Sequence, residues 1–490
     1  MKKRINEGAG PPFPGTEPAE AHFALGMNQI ALRPRRYPLN PALRKTYDLR
    51  GTIGRTLGDE DARSLGLRFA ALARARGQSR IAVSRDGRLS SPGLEAALVE
   101  GLRAGGMAVH RLPLGPTPLV SFAVHRLGLD GGIMVTGSHN PPDQNGFKLL
   151  LGGDPVHGEA LAGLWRVDPD ETSGGSVQDV DVSEDYLAAL ATEVQGIDLG
   201  PIAWDSGNGA TGEMVERLTA RLGGRHHLLH TDIEGRFPNH HPDPSVPDNL
   251  IDLQQVVRRE GCAIGFAFDG DGDRIGLVDE TGAIVWADQL MLLLARDILA
   301  DCPGGAVVAD VKSSNLLFDG ISAAGGRPVM GPSGYVLVRE RMIREGSPMS
   351  GEMSGHIFFG DRWHHADDGL YVAMRTLRAL ARSGRSLREF RDSLPATYAT
   401  PELRLPCPDE RKASVLAGVA ERLEAAAAEV DRTDGLRVTE RDGWWLLRSS
   451  GTEPKLTARV EANSPEARDR LQSELFDRLT NAGLTFSKAA

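Results

Sequence analysis

The sequence predicts an α/β protein of several domains, three of them alike and a fourth of a different kind. Three observations carry this. A short apolar strand ending in an Asp-containing polar turn occurs three times at domain-sized intervals, over residues 81–88 with Asp86, 202–209 with Asp205 and 306–312 with Asp310. Each occurrence is followed by a second strand, loop and strand whose loop holds unusual polar residues: Ser138 in the first, Asp269, Asp271 and Asp273 in the second, and Glu352, Ser354 and His356 in the third. After Pro406 the pattern changes to an alanine-rich helix, a Trp-Trp strand, a loop, another strand and a final helix, the outline of an α+β domain. At 490 residues the chain has room for about three or four domains of roughly 150 residues each.

Taken in order, residues 1–40 mix Gly, Pro, Glu and Arg without hydrophobic periodicity and are expected to be a mobile extension. Domain 1 is assigned to 41–183. It opens near Tyr47, with a helix from about 59 to 76 and, over 81–88, a strand ending in a polar turn; Ser91 then serves as N-cap and Pro92 as first helical residue. Leu94, Leu98 and Leu102 recur every fourth position and give that helix one buried face before Gly105 and Gly106 end it. Thr117 and Pro118 open a further helix, and strands at 132–135 and 147–151 carry the chain into and out of the Ser138 loop. Domain 2 is placed at 184–285, domain 3 at 286–398 and domain 4 at 399–490, with helices near 412–429 and after Ser464 and Pro465, and strands at 444–448 and 456–460.

Bulk properties exclude several functions. A net charge of −10 and a pI near 5.8 argue against a nucleic-acid surface. Cys262, Cys302 and Cys407 are odd in number, far apart and form no CxxC pair, so neither a disulfide framework nor a thiolate zinc site is expected. The longest apolar runs, such as 290–295, are too short to span a bilayer, and the start lacks the apolar core of a signal peptide. The expectation is a cytoplasmic protein with no membrane partner.

The loops suggest chemistry. In TGSHNPP (136–142) Gly137 would let the backbone approach a ligand, the prolines stiffen the far side, and Ser138 sits where a nucleophile is useful; alone, the stretch reads more readily as an ordinary Gly/Pro turn, and the other loops change that weighting. Asp269, Asp271 and Asp273 alternate with glycine. Two carboxylates about 5 Å apart repel by roughly 3 kcal/mol at an effective dielectric near 20, so three that converge need a cation, and all-oxygen ligation points to Mg²⁺ or Mn²⁺. An EF-hand is the sharper rival, with Glu280 as twelfth residue, but Arg274 stands where that loop needs glycine and the flanks read as strands. A solvated acidic turn is the bland alternative. A protease-like Ser138–His139 pair is disfavoured because neighbours in an extended segment point apart, and no GxxxxGK[ST] loop supports a P-loop kinase. Arg448, Ser449, Ser450, Gly451 and Thr452 offer a guanidinium, hydroxyls and amides suited to a phosphate dianion. Glu352, Ser354 and His356 suit a polyol.

Together TGSHNPP, DGDGDR, GEMSGH and RSSGTEP, with YDLRG (47–51), SRDGRLSSP (84–92), DSGNGATG (205–212) and FPNHHPDPSVPDNL (237–250), closely resemble the α-D-phosphohexomutases, most of all the bacterial phosphomannomutase/phosphoglucomutase branch. The resemblance implies three similar mixed-sheet α/β domains and a TATA-binding-protein-like α+β domain around a central cleft. It implies that Ser138 is a phosphoserine which, with Asp269, Asp271 and Asp273, holds one Mg²⁺. Arg50, His139, Lys148, Arg274 and Lys312 would surround the transferring group as positive charge and proton-transfer candidates. Tyr47, Tyr335, Glu352, Ser354 and His356 would face the sugar, and Arg448, Ser450, Gly451 and Thr452 the phosphate that does not react. The implied partners are small phosphosugars, with hexose 1,6-bisphosphate as intermediate and activator, in a monomer or weak homodimer.

Two departures from the family pattern stand out. Many relatives carry Thr-Gly-His where this chain has Ser333-Gly334-Tyr335, and some carry Asn at Gly451. Glucose and mannose differ only at C2, so a Glu/Ser loop that grips C3 and C4 hydroxyls implies dual use. The alternatives are a glucosamine- or glucose-restricted mutase of the same fold, a Ser-nucleophile phosphatase, and a non-catalytic Mg- or Ca-binding protein.

Overall fold

The computed structural model describes residues 37–451 and 454–484. Three sheets repeat one motif. In the first, strands Gln144–Leu151, Gly131–Val135, Arg80–Arg85 and Ala108–Arg111 lie side by side in that order; the first pair is antiparallel and the other pairings are parallel. The second repeats this with Ile275–Asp279, Ile264–Phe268, Ile202–Asp205 and His226–Leu229, and the third with Ile357–Phe359, Met349–Gly351, Ala306–Asp310 and Arg327–Gly331. The antiparallel pair is in each case the hairpin whose loop carries the polar motif. Parallel neighbours buried on both faces account for the runs Gly131–Val135, Ile264–Phe268 and Ala306–Asp310, every residue of which is buried.

The three aspartates do the same local work. Asp86 Oδ1 accepts from Arg88 N at 3.1 Å, Asp205 Oδ1 from Gly207 N at 2.9 Å and Asp310 Oδ1 from the Ser313 hydroxyl at 2.9 Å, each tying the turn after its strand. Asp205 and Asp310 end their strands, whereas Asp86 follows its own.

The C-terminal sheet is antiparallel throughout, built from Tyr398–Ala399, Leu403–Pro406, Glu429–Asp431, Leu436–Glu440, Gly443–Ser449 and Lys455–Ala462. Strand alternation divides its aromatics. Trp445 and Leu447 face helices Asp409–Ala425 and Pro465–Asn481, with Val415, Val419, Leu471 and Leu475 beneath them. Trp444 and Leu446 face the other way and pack on Val311, the residue that follows strand Ala306–Asp310.

Several local expectations differ from the structure. The helix Ser91–Ala104 begins one residue early, because the Ser91 hydroxyl is drawn inward to Asp86; Ser90 is the N-cap and makes no capping bond. The alanine-rich helix stops at Ala425, and Glu429 starts an edge strand. Of the expected extension, residues 1–36 lie outside the described residues, whereas Leu39 is buried and its carbonyl accepts from Trp165 Nε1 at 3.1 Å.

Helices Asp59–Arg74 and Ser91–Ala104 cross in backbone contact. A Cβ on Gly101 would fall 2.2 Å from the Arg63 carbonyl oxygen, so Gly101→Ala is expected to destabilise the protein by about 1–3 kcal/mol. Gly163 lies in the helix Gly158–Arg166 with open space beside it, and Gly163→Ala is expected to gain about 0.5–1 kcal/mol. Urea unfolding midpoints of the two variants check the pair.

Asp368 caps the helix Gly369–Ser383, accepting from Tyr371 N at 3.0 Å and from the Tyr186 hydroxyl at 2.9 Å. Burial outweighs those bonds and pushes its carboxyl up to about 7. The folded form therefore keeps a proton that the unfolded chain releases near pH 4. This contribution to stability is complete below about pH 4 and is lost as the pH rises toward 7. Asp368→Asn is expected to flatten the fall in thermal midpoint between pH 5 and 7; an unchanged slope would contradict the assignment.

Candidate active site

The hairpin loops of the first two sheets meet at Ser138. This residue is 3% exposed and has φ 49°, a left-handed conformation uncommon outside glycine. The expected loop tip is therefore a buried pivot, and the extended geometry used to separate Ser138 from His139 does not apply. What separates them is a partner: His139 Nδ1 lies 3.0 Å from Asp243 Oδ2. The charge of Arg274, followed by burial, lowers the His139 imidazole to about 4.

Ser138 is held from all sides. Its amide donates to Thr136 Oγ1 at 2.8 Å and its hydroxyl to Asp269 Oδ2 at 2.8 Å. Beneath it lies Arg88, 1% exposed, whose guanidinium donates to the carbonyls of Ser138 (2.7 Å), Asn140 (2.6 Å), Pro141 (2.6 Å) and Gln144 (2.9 Å). Gly137 makes room for this clamp, since a Cβ there would sit 2.3 Å from Arg88 Nε.

The Asp-Gly alternation has two causes. A Cβ on Gly270 would meet the Ser138 carbonyl at 2.4 Å, so glycine is what lets the two loops touch. The aspartates point the other way. Asp269, Asp271 and Asp273 are at most 1% exposed, and one ligand atom from each lies within 4.8 Å of the others. Lys148 Nζ donates to Asp271 Oδ2 at 2.7 Å and to Asp273 Oδ2, and the Thr117 hydroxyl donates to Asp271 Oδ2 at 2.5 Å. Asp271 Oδ1 and Asp273 Oδ1 are buried without a hydrogen-bond partner among the described residues. Burial, then the charges of Asp271 and Asp273, hold the Asp269 carboxyl well above the usual range, whereas the Lys148 ammonium overcomes burial and keeps Asp271 low. Two orphaned carboxylate oxygens in an all-oxygen cluster fit a hard divalent cation. The flanking strands Ile264–Phe268 and Ile275–Asp279 exclude an EF-hand, and Glu280 accepts from the Ser386 hydroxyl instead.

Positive charge surrounds this cluster. Arg50 is paired with Asp48 at 2.7 Å and donates to the Thr136 carbonyl. Arg274 donates from Nε to His356 Nε2 at 2.9 Å and lies 3.9 Å from Asp269. Lys312, expected around the same group, is paired instead with Asp310 at 3.9 Å and Glu402 at 3.7 Å.

The third hairpin adds acceptors. Glu352 takes Gly334 N at 2.6 Å and the Ser354 hydroxyl at 3.1 Å, and His356 Nδ1 is 2.8 Å from Asp367. Tyr335 stacks on His356 with ring centroids 5.2 Å apart, and Lys148 Nζ lies 5.9 Å from the Tyr335 ring centre. Tyr47 donates to the Ser333 carbonyl at 3.2 Å and meets Tyr335 edge-on; burial, then the Glu352 charge, push its phenol up to about 12. In the C-terminal sheet the Arg448 fork is closed on Asp434 at 2.9 Å, and Asp434 also accepts from Ser333 N. The Ser450 carbonyl accepts from Lys412 at 2.9 Å and the Gly451 carbonyl from Thr46 at 2.8 Å. Thr452 lies outside the described residues.

Sequence reading assigned no role to Arg88, Thr117, Asp243, Asp367 or Asp434. Arg88 and Asp243 stand within quoted motifs, which was the available signal; the other three are visible only as contacts. Arg88→Met would strand several buried carbonyls at about 1–3 kcal/mol each. It is expected to lower the thermal midpoint and to reduce turnover at least about tenfold, as checked by melting curves and steady-state kinetics.

The family models for phosphoglucomutase/phosphomannomutase match in chain order: α/β/α domain I over residues 41–164, domain II over 184–282, domain III over 286–398 and the C-terminal domain over 402–478. A phosphomannomutase/phosphoglucomutase of Pseudomonas aeruginosa is 37% identical over 89% of this chain and 95% of its own length. A phosphoglucomutase of Neisseria gonorrhoeae is 40% identical over 88% and 95%. A crystal structure of a phosphoglucomutase/phosphomannomutase family protein from Burkholderia thailandensis superposes with TM-score 0.86 at 38% identity, covering 92% of this chain and 99% of that one. Four matched domains in order, and identity of this level along most of the chain, place the protein in the phosphoglucomutase/phosphomannomutase family.

Proposed function

We propose that this protein moves a phosphoryl group between the 1- and 6-positions of mannose and glucose through a phosphoserine at Ser138. The observation that carries this reading is the seat of Ser138. Its hydroxyl lies 2.8 Å from one of three buried carboxylates, with the cations of Arg50, Lys148 and Arg274 around them.

In the first half-reaction the bond from phosphorus to Ser138 Oγ breaks, and a bond forms to a free hydroxyl of a hexose monophosphate, whose proton passes to a base. The 1,6-bisphosphate so formed turns over in the cleft. Its other phosphate returns to Ser138 Oγ and the proton goes back to the sugar oxygen left behind. Little covalent work falls to the protein, and catalysis rests on positioning and on charge. Arg50, Lys148, Arg274 and Lys312 are assigned to the charge of the transferring group. His139, its ring fixed by Asp243, is assigned the proton. Asp269, Asp271 and Asp273, with a phosphate oxygen on Ser138, would hold one Mg²⁺, which supplies further charge neutralisation.

Glu352 and Ser354 are assigned to sugar hydroxyls, with His356, Tyr335 and Tyr47 shaping that wall. A loop that grips hydroxyls glucose and mannose share does not read C2, which supports dual use. Arg448, Ser450, Gly451 and Thr452 are assigned the distal phosphate; a dianion there would compete with Asp434 for the Arg448 fork. The C-terminal domain is expected to close on bound substrate.

With Mg²⁺ and a trace of glucose 1,6-bisphosphate, the protein is expected to convert mannose 1-phosphate and glucose 1-phosphate to their 6-phosphates at comparable rates, and Ser138→Ala to lose at least about a thousandfold of turnover. No turnover of either sugar by a folded, phosphorylated protein would overturn the substrate assignment and point to the glucosamine phosphates.

A further inference from the structure

Besides the acidic triad, three groups among the described residues bring metal-ligating atoms together; two of them share His139, Asp273 or His356 with the proposed active centre, and the third lies apart from it in the middle α/β domain. The parallel strands Ile202–Asp205 and His226–Leu229 are neighbours in register, Asp205 opposite Leu229. Asp205 therefore ends one strand as His230 follows the other, at the carboxyl edge where open α/β sheets place their ligands. His240 reaches the same point from the loop that follows. One ligand atom from each of Asp205, His230 and His240 lies within 4.8 Å of the others.

The surroundings fit a metal ion. Asp205 is fully buried, and its Oδ2 lies 3.1 Å from His240 Nε2. Two ligand atoms bound at 2.0–2.1 Å to a tetrahedral ion stand about 3.3 Å apart. One nitrogen of each ring already has an acceptor. His240 Nδ1 lies 3.0 Å from the His241 carbonyl, and His230 Nε2 lies 3.2 Å from Asp252 Oδ2. A ring whose far nitrogen is held by a carbonyl or carboxylate is fixed in tautomer and orientation, as metal-ligating imidazoles are. Asp205 Oδ1 is separately engaged by Gly207 N, which leaves Oδ2 for the cluster.

We infer that Asp205, His230 and His240 form a zinc-type transition-metal site, with Asp252 positioning His230 and a water or a fourth donor completing the coordination. Two imidazoles and one carboxylate select Zn²⁺ or Co²⁺ over Mg²⁺, which favours all-oxygen sites. The bland alternative is an Asp205–His240 ion pair with a second histidine nearby. A bound ion would also steady the segment from His240 to Asp243, and Asp243 is the partner of His139. The site would therefore brace a residue of the proposed active centre without entering the reaction.

The test uses the full chain, stripped with chelator, returned to saturating Mg²⁺ and titrated with Co²⁺, whose tetrahedral complexes absorb visible light, and then with Zn²⁺ by calorimetry. One equivalent is expected, with tetrahedral absorption and affinity unchanged in Asp271→Asn. His240→Gln and His230→Asn are expected to weaken it at least about a hundredfold; asparagine tolerates the positive φ of 51° at His230, so that fold is kept. Asp252→Asn is expected to weaken it roughly 10–100-fold while leaving the stoichiometry at one. Absence of a bound equivalent in the wild type overturns the inference. So does binding that survives both histidine variants, or that disappears in Asp271→Asn. Mutase activity is not the readout, so the result stands apart from the proposed reaction.

Discussion

Three carboxylates that cannot escape one another are the constraint on which the rest of this structure depends. Asp269, Asp271 and Asp273 are buried at one loop, and every nearby feature either offsets their repulsion or exploits it. Lys148 reaches across from the first sheet to neutralise two of them, the Thr117 hydroxyl supports one, and Ser138 donates to the third. Gly270, between the first two, lets the Ser138 backbone close in. A phosphate on Ser138 would add negative charge to this already acidic corner, which is why the surrounding arginines and a divalent cation belong to the same account.

Repetition of one sheet motif explains how three of the loops are presented alike. The antiparallel hairpin sits at the same position in all three sheets, so each unit presents its loop from an equivalent edge. The C-terminal sheet docks Trp444 and Leu446 on the third unit and brings Arg448 and Asp434 to Ser333. Hydrogen bonds from charged side chains cross these boundaries, Arg274 to His356 and Lys148 to Asp271 among them. The site therefore belongs to no single unit.

The hairpin loops were legible in the sequence because their residue types are unusual for turns: alternating Asp and Gly, a Ser between Gly and His, a Glu-Met-Ser-Gly-His run. Strands were legible where burial on both faces made them continuously apolar, as at 264–268. Arg88 was not legible as a clamp, since an arginine beside an Asp-Gly turn looks like a surface residue and its four carbonyl partners come from a loop some fifty positions away. Asp243, Asp367 and Asp434 act through pairings that only the fold creates. The left-handed turn at Ser138 was hidden for a similar reason, because packing against Gly270 and Arg88 imposes it and local preference does not.

The most direct test of the central claim is phosphoryl transfer to Ser138 itself. Incubating dephosphorylated protein with glucose 1,6-bisphosphate labelled in its phosphates should place close to one label per chain on the peptide that contains Ser138. Unlabelled hexose monophosphate should then remove that label as labelled bisphosphate or monophosphate, and not as inorganic phosphate. Label on another residue, or its release only as inorganic phosphate, would contradict the account.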